Sequence, residues 1–93
     1  MASNDWEIEF DTDAVKDLDN LPSAVKREIV KKIRWLRDNF DDTTPQSLGG
    51  EWRGFFKLRT GDYRIIYKID WNRYLLTVSL IDHRSKVYKR RRR

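Results

Sequence analysis

Between Tyr74 and Ile81 the chain is apolar at nearly every position: Tyr74, Leu75, Leu76, Val78, Leu80 and Ile81. The run is far shorter than the roughly 18 apolar residues of a membrane span. Its pattern is that of a strand buried on both faces or nearly so, within a predicted strand Arg73–Asp82. Upstream, across the tight turn Trp71-Asn72, Tyr63–Asp70 is mostly apolar and aromatic. Before that, across Thr60-Gly61-Asp62, Phe55–Arg59 sets Phe56 and Leu58 opposite Lys57 and Arg59. Connections this short make the three strands an antiparallel meander.

The first half of the chain reads differently. Trp6, Ile8 and Phe10 alternate with Glu7 and Glu9, the mark of a half-buried strand. Asp11 offers an N-cap for a short helix over Thr12–Asn20, with Ala14, Val15 and Leu18 inward. Leu21-Pro22 breaks it, and Pro22 suits the first turn of the next helix. Over residues 22–40, Val25, Ile29, Ile33, Leu36 and Phe40 form one apolar stripe at helical period. Lys26, Arg27, Lys31, Lys32, Arg34 and Arg37 occupy much of the remainder and read as a solvated face. Asp41–Gly50 reads as a loop, marked by Pro45 and Gly49-Gly50. The order is β-α-α-β-β-β, an α+β fold with an antiparallel sheet and two N-terminal helices packed on one face. The other face is expected to be free, its strand bases lining a concave basic surface. Residues 83–93 are too charged for core and are expected to form a turn or short helix, then a mobile tail.

Ninety-three residues suffice for a single domain: 1–88 is expected to be that domain and 89–93 a basic C-terminal tail. With no cysteine there is no disulfide framework, zinc ribbon or thiol nucleophile, and one histidine excludes an HExxH site. The acidic N-terminus has no apolar signal segment. The expectation is a soluble cytoplasmic protein with no membrane contact. Charge is unevenly spread. Residues 1–50 carry 11 acids and 7 bases, and residues 51–93 carry 4 acids and 13 bases. Such a division suggests one half facing a polyanion, above all a nucleic acid.

The bases have company. Lys57 and Arg59 share a strand face; Arg64 follows the turn, and Lys68 shares its face four residues on. Whether the two pairs share a face depends on hairpin register, which sequence leaves open. His83, Arg84, Lys86 and Tyr88 follow the last strand. No acidic cluster stands with them, so two-metal cleavage is not expected, and neither a metal nor a cofactor is called for. Metal-free RNA cleavage needs a group to take the 2′-hydroxyl proton, positive charge for the phosphorane oxygens and a proton for the leaving 5′-oxygen. Lys, Arg, His and Tyr can supply these, and an aromatic can stack on a base.

Leu48-Gly49-Gly50, Gly54-Phe55-Phe56-Lys57-Leu58-Arg59, Gly61-Asp62-Tyr63-Arg64-Ile65-Ile66-Tyr67 and His83-Arg84-Ser85-Lys86-Val87-Tyr88 together resemble the RelE/ParE superfamily of type II toxins, and its RelE branch in particular. The resemblance spans nearly the whole chain. It implies a microbial-ribonuclease-like RelE fold and a toxin that cuts mRNA in the ribosomal A site, leaving a 2′,3′-cyclic phosphate. The partners it implies are a RelB-like cognate antitoxin, the ribosome with its mRNA, and operator DNA only as a toxin–antitoxin complex. It assigns proton abstraction or charge stabilisation to Lys57, transition-state stabilisation to Arg64 and RNA orientation to Tyr88, and it places Arg84 where relatives keep a His or a base. Two departures stand out. Phe55 replaces a lysine two positions before Lys57, and Asp82 replaces an arginine six before Tyr88. His83 is then a candidate acid, since imidazole titrates near neutrality. Arg59, Lys68, Lys86, Lys89 and Arg90 are expected to contact RNA, with Arg90–Arg93 a disordered extension adding affinity. Trp52, Trp35 and Trp71 read as core, antitoxin interface and turn packing. The bland alternatives are an Arg64 ion pair to Asp62 or Asp82, Tyr88 as a staple for the C-terminus, and His83 as a strand cap. The competing activity is a ParE-like gyrase inhibitor without nuclease chemistry.

Overall fold

The apolar run becomes an inner strand of a five-stranded sheet. The computed structural model describes residues 5–90. The strands are β1 (Glu7–Phe10), β2 (Gln46–Ser47), β3 (Phe56–Thr60), β4 (Tyr63–Asp70) and β5 (Leu75–His83), arranged in the order β1-β5-β4-β3-β2. The helices α1 (Thr12–Asp19) and α2 (Ser23–Asp38) lie between β1 and β2 in the chain. β3, β4 and β5 form the expected meander, while β1 returns beside β5 in parallel, Glu7 opposite Leu75 and Phe10 opposite Val78.

β5 does not alternate regularly. Tyr67 on β4 faces Val78, and the next residue back, Ile66, faces Leu80, so Ser79 is an extra residue bulged out of the ladder. Its small side chain is buried, and its hydroxyl has no hydrogen-bond partner among the described residues. The bulge reverses the side-chain parity. Before it, Leu76 and Val78 face the helices; after it, Ile81 does.

Both helices cover that face. Ala14, Ile29 and Ile33 pack on Ile65, Val78 and Ile81, with Ile8, Leu18, Leu21, Val25, Leu58 and Tyr63 around them. Leu36 and Phe40 continue the α2 stripe against Trp6, Tyr67 and Leu76. Trp6 donates from Nε1 to Asp41 at 3.0 Å, so the indole is buried with its polar atom paired. Trp71 and Tyr74 close over the same ring from the β4–β5 turn, at 5.6 and 5.4 Å.

Four local expectations are corrected. Val15 is 44% exposed, because the apolar packing of the two-turn α1 is made by Ala14 and Leu18. Tyr74 lies outside β5, in the left-handed region (φ 53°), with its carbonyl accepting from the Glu7 amide at 2.9 Å. The loop 41–50 contains β2, which pairs Gln46 with Lys57 and Ser47 with Phe56. The far face of the sheet is not free. Ile66 and Leu80 point there and are buried beneath Trp52, Phe55 and Val87, with Leu48 alongside. Val87 is fully buried, although its neighbours in sequence are all polar or charged.

Burial pushes the Tyr67 phenol from 10.0 up to about 12. The unfolded chain therefore releases this proton first. The associated stabilisation is complete below pH 10 and is lost as pH rises through about 12, a loss of about 2–3 kcal/mol. Urea unfolding of wild type and Tyr67→Phe between those limits should show a shallower alkaline decline in the variant; parallel curves would remove Tyr67 as the cause.

Candidate nucleic-acid interface

Register answers the question that the sequence left open. Arg59 lies opposite Arg64, which lies opposite Asp82, and Lys57 lies opposite Ile66, which lies opposite Leu80. Directly paired residues share a face. Lys57, Arg59, Arg64 and Lys68 therefore all belong to the face away from the helices. Lys57 and Arg59 have no carboxylate partner among the described residues. Lys68 extends toward the Phe55 ring, with Nζ 5.7 Å from its centroid.

The β3–β4 turn organises the basic end of this face. Gly61 has φ +58°, the left-handed geometry that a tight hairpin requires at its first turn position. Arg64 folds back on that turn, with Nη1 donating to the carbonyls of Gly61 at 3.1 Å and Tyr63 at 2.9 Å. The guanidinium is thus held by one nitrogen, and Nε and Nη2 keep three N–H donors unengaged within the described residues. Neither of the alternative ion pairs of Arg64 forms. Asp62 stands 3.9 Å from Arg84, and Asp82 accepts from the His83 amide at 2.7 Å and from Arg90 at 3.4 Å. The Arg84 amide also donates to the Asp62 carbonyl at 2.8 Å. One turn therefore gathers Arg64 and Arg84.

From there residues 84–90 run over the face away from the helices as a strap. Val87 enters the pocket formed by Trp52, Phe55, Ile66 and Leu80. The 3₁₀ turn Val87–Lys89 then leaves Tyr88 40% exposed, and Lys86 and Lys89 are exposed beside it. The staple on the C-terminus is thus Val87 rather than Tyr88. Arg90, expected in a mobile extension, is held instead: Nη1 lies 2.8 Å from Asp17 on α1 and 3.4 Å from Asp82 on β5. Burial by itself would lower its pKa, but the hydrogen bonds and charges of Asp17 and Asp82 outweigh that and raise it. The expected extension at Arg91–Arg93 lies outside the described residues.

His83 is not brought to Lys57 and Arg64. It lies opposite Tyr63, which packs on the helix side, and the two rings meet edge-on at 5.7 Å. The Ser85 amide donates to His83 Nδ1 at 3.1 Å, and Ser85 Oγ lies 2.8 Å from the same nitrogen. The proton of the neutral ring is then on Nε2. His83 lines a separate cavity of about 500 Å³ with Asp17, Asn20, Tyr63 and Lys86. Trp52 is core and Trp71 packs on the turn, as expected, while Trp35 is 44% exposed on α2 with Lys32 Nζ 4.1 Å from its ring centroid.

The two departures from the superfamily pattern now have places. Phe55 fills the pocket that receives Val87, and Asp82 receives Arg90. Both hold the strap. The one sequence signal for it was a lone aliphatic, Val87, within a charged segment.

Two helices on one face of a mostly antiparallel five-stranded sheet define the α+β fold of the RelE toxins. The isolated E. coli RelE toxin shares it at a TM-score of 0.70 and 22% identity, over 90% of this chain and 92% of that one. The toxin–antitoxin complex RelBE2 from Mycobacterium tuberculosis contains a chain with a TM-score of 0.77 and 27% identity, over 86% of this chain and 99% of that one. Toxin RelG of Mycobacterium tuberculosis is 28% identical over 85 residues, 91% of this chain and 98% of RelG. The family described as the ParE toxin of the type II toxin–antitoxin system parDE matches residues 8–88. The chain belongs to that family of type II toxins, within the RelE/ParE superfamily, and is similar to members of its RelE branch.

Restoring a lysine at position 55 should be costly, because the ammonium would displace an aromatic ring from a buried apolar cluster. Phe55→Lys is expected to lower unfolding stability by about 3–5 kcal/mol, the scale of losing a buried phenylalanine, whereas Phe55→Leu should cost clearly less. Equal denaturation midpoints for wild type and Phe55→Lys would show that the cluster does not hold the strap.

Proposed function

We propose that this toxin is a metal-independent endoribonuclease that cuts mRNA in the ribosomal A site and so stops translation in the cytoplasm. The observation that carries this reading is Arg64: a guanidinium fixed by two main-chain carbonyls, with three donors left over, on the same face as Lys57 and Arg59. Donors held in place before reaction stabilise developing charge without reorganisation.

In this reading Lys57 takes the 2′-hydroxyl proton. The 2′-oxygen attacks the adjacent phosphorus, Arg64 bears the charge on the phosphorane oxygens, and the P–O5′ bond breaks. The products are a 2′,3′-cyclic phosphate and a 5′-hydroxyl. The proton for the leaving oxygen comes from the strap side, where Tyr88 and Arg84 stand, and His83 on the opposite face takes no part. Arg59, Lys68, Lys86 and Lys89 hold the RNA backbone. A RelB-like antitoxin neutralises the toxin, and operator DNA is bound only by the pair; RelB–RelE complexes of Pyrococcus horikoshii and Methanococcus jannaschii contain chains that share the fold, which supports an antitoxin partner.

A second reading is kept alive by the family description itself, which is that of ParE. A ParE-like gyrase inhibitor needs no nuclease residues, and Phe55 and Asp82 are here given to structure.

Primer extension on an mRNA in a cell-free translation reaction separates the two. Discrete cuts only on translated message are expected, and Arg64→Ala should slow them by roughly 10²–10³, as for loss of one oxyanion donor. Intact message with a toxic protein would transfer the assignment to gyrase and to a supercoiling assay. Deleting residues 91–93 while keeping Arg90 should weaken binding to ribosomes and flatten its dependence on salt, since each phosphate contact adds to that slope. An unchanged slope would make those three arginines bystanders.

A further inference from the structure

β1 stops opposite Val78, and the last main-chain bond on that side of β5 runs from the Asp11 amide to the Val78 carbonyl at 2.9 Å. Beyond it the edge of β5 is covered by a side chain. Asp17 reaches over from α1, and its Oδ2 accepts the Ile81 amide at 2.9 Å. The same oxygen accepts Arg90 Nη1 at 2.8 Å. Asp17 is 15% exposed and Arg90 30%, so water screens this pair less than an ordinary surface ion pair. The Ile81 amide thus helps to hold in place the carboxylate that binds the arginine.

The strap meets the body of the protein at three points. The Arg84 amide bonds the Asp62 carbonyl at its start, Val87 is buried in its middle, and Arg90 is clamped at its end. Its start is also tied to the end of β5, the Lys86 amide donating to the His83 carbonyl and the Ser85 amide to His83 Nδ1, while the bonds from Lys89 to Lys86 and from Arg90 to Val87 are internal. Between the last two anchors stand Tyr88 and Lys89. Releasing Arg90 leaves this stretch held from one side only.

We propose that Asp17, on the helical layer, is a positioning residue for the opposite face of the sheet: through Arg90 it fixes the strap and so sets where Tyr88 and Lys89 stand. The anchoring needs no assumption about activity; its consequence for RNA rests on the proposed nuclease function.

Hydrogen exchange on the full chain tests the anchoring. Asp17→Asn keeps an acceptor for the Ile81 amide but removes the charge. With it and with Arg90→Ala, the Lys89 and Arg90 amides should exchange at least about tenfold faster, while β4 and the Ile81 amide keep their protection. Arg90→Lys, which retains the charge, should fall between these variants and wild type. Unchanged protection at Lys89 and Arg90 overturns the proposal. The translation assay tests the positioning, with Tyr88→Ala as reference. Asp17→Asn should lose cleavage in the same direction as Tyr88→Ala, by about tenfold, and Arg90→Lys should recover part of it. A loosened strap with wild-type cleavage by Asp17→Asn, where Tyr88→Ala is slow, overturns the positioning role. Wild-type protein that cuts nothing sinks the nuclease reading instead, and the anchoring then stands or falls on exchange alone.

Discussion

β5 has apolar side chains on both faces, and burying both decides the rest of the architecture. One face of the sheet receives the two helices, through Ala14, Ile29, Ile33 and Leu36. The other cannot be left to water, because Ile66 and Leu80 point into it. No third helix follows in the described chain. The cover is improvised from a loop that brings Trp52 and Phe55 and from a strap that brings Val87. Apolar burial is non-directional, so three side chains from separate segments can do the work of an element. The face is therefore a mixed one, with an apolar cluster in the middle and cations around it.

That arrangement explains which parts of the structure were legible in advance. Helix α2 announced itself through a stripe of five apolar residues, and the meander through short turns, because both signals are periodic and local. β2 has two residues, too few to carry a period. The strap was hidden by its own charge: Val87 is one apolar residue among bases, and the acids that bind Arg90 lie on α1 and β5, far away in sequence. The sequence places His83 just past the last strand among the bases; in the structure it is the last residue of β5, where strand parity decides its side. The bulge at Ser79 reverses its parity, sending Leu80 and Asp82 to the basic face and His83 toward the helices. A bulge of one residue in an apolar strand leaves almost no trace in composition.

The candidate site itself was legible by type and not by geometry. The bases of β3 and β4 were visible, but their shared face came from the pairing of Arg59 with Arg64 across the Gly61 turn. The anchoring of Arg64 by carbonyl oxygens was invisible, since main-chain acceptors leave no mark in sequence. Phe55 and Asp82 read as losses when the superfamily's bases are the standard. In the folded chain both are contacts of the strap, so positions that departed from a pattern of charge acquired a mechanical use.

The parallel pairing of β1 with β5 joins Glu7 to Leu75 and Phe10 to Val78, residues far apart in sequence with both helices and three strands between them. β1 therefore waits for β5. Until Leu75–His83 has been made, β1 has no neighbour, β4 lacks one side, and neither helix has its complete floor. Contacts of such sequence separation form late, because a long loop must close before they can be rewarded. For a protein whose family acts as toxins, the consequence is temporal: a chain interrupted before β5 has no finished sheet, and its basic face comes into being only after Leu75–His83 has been made.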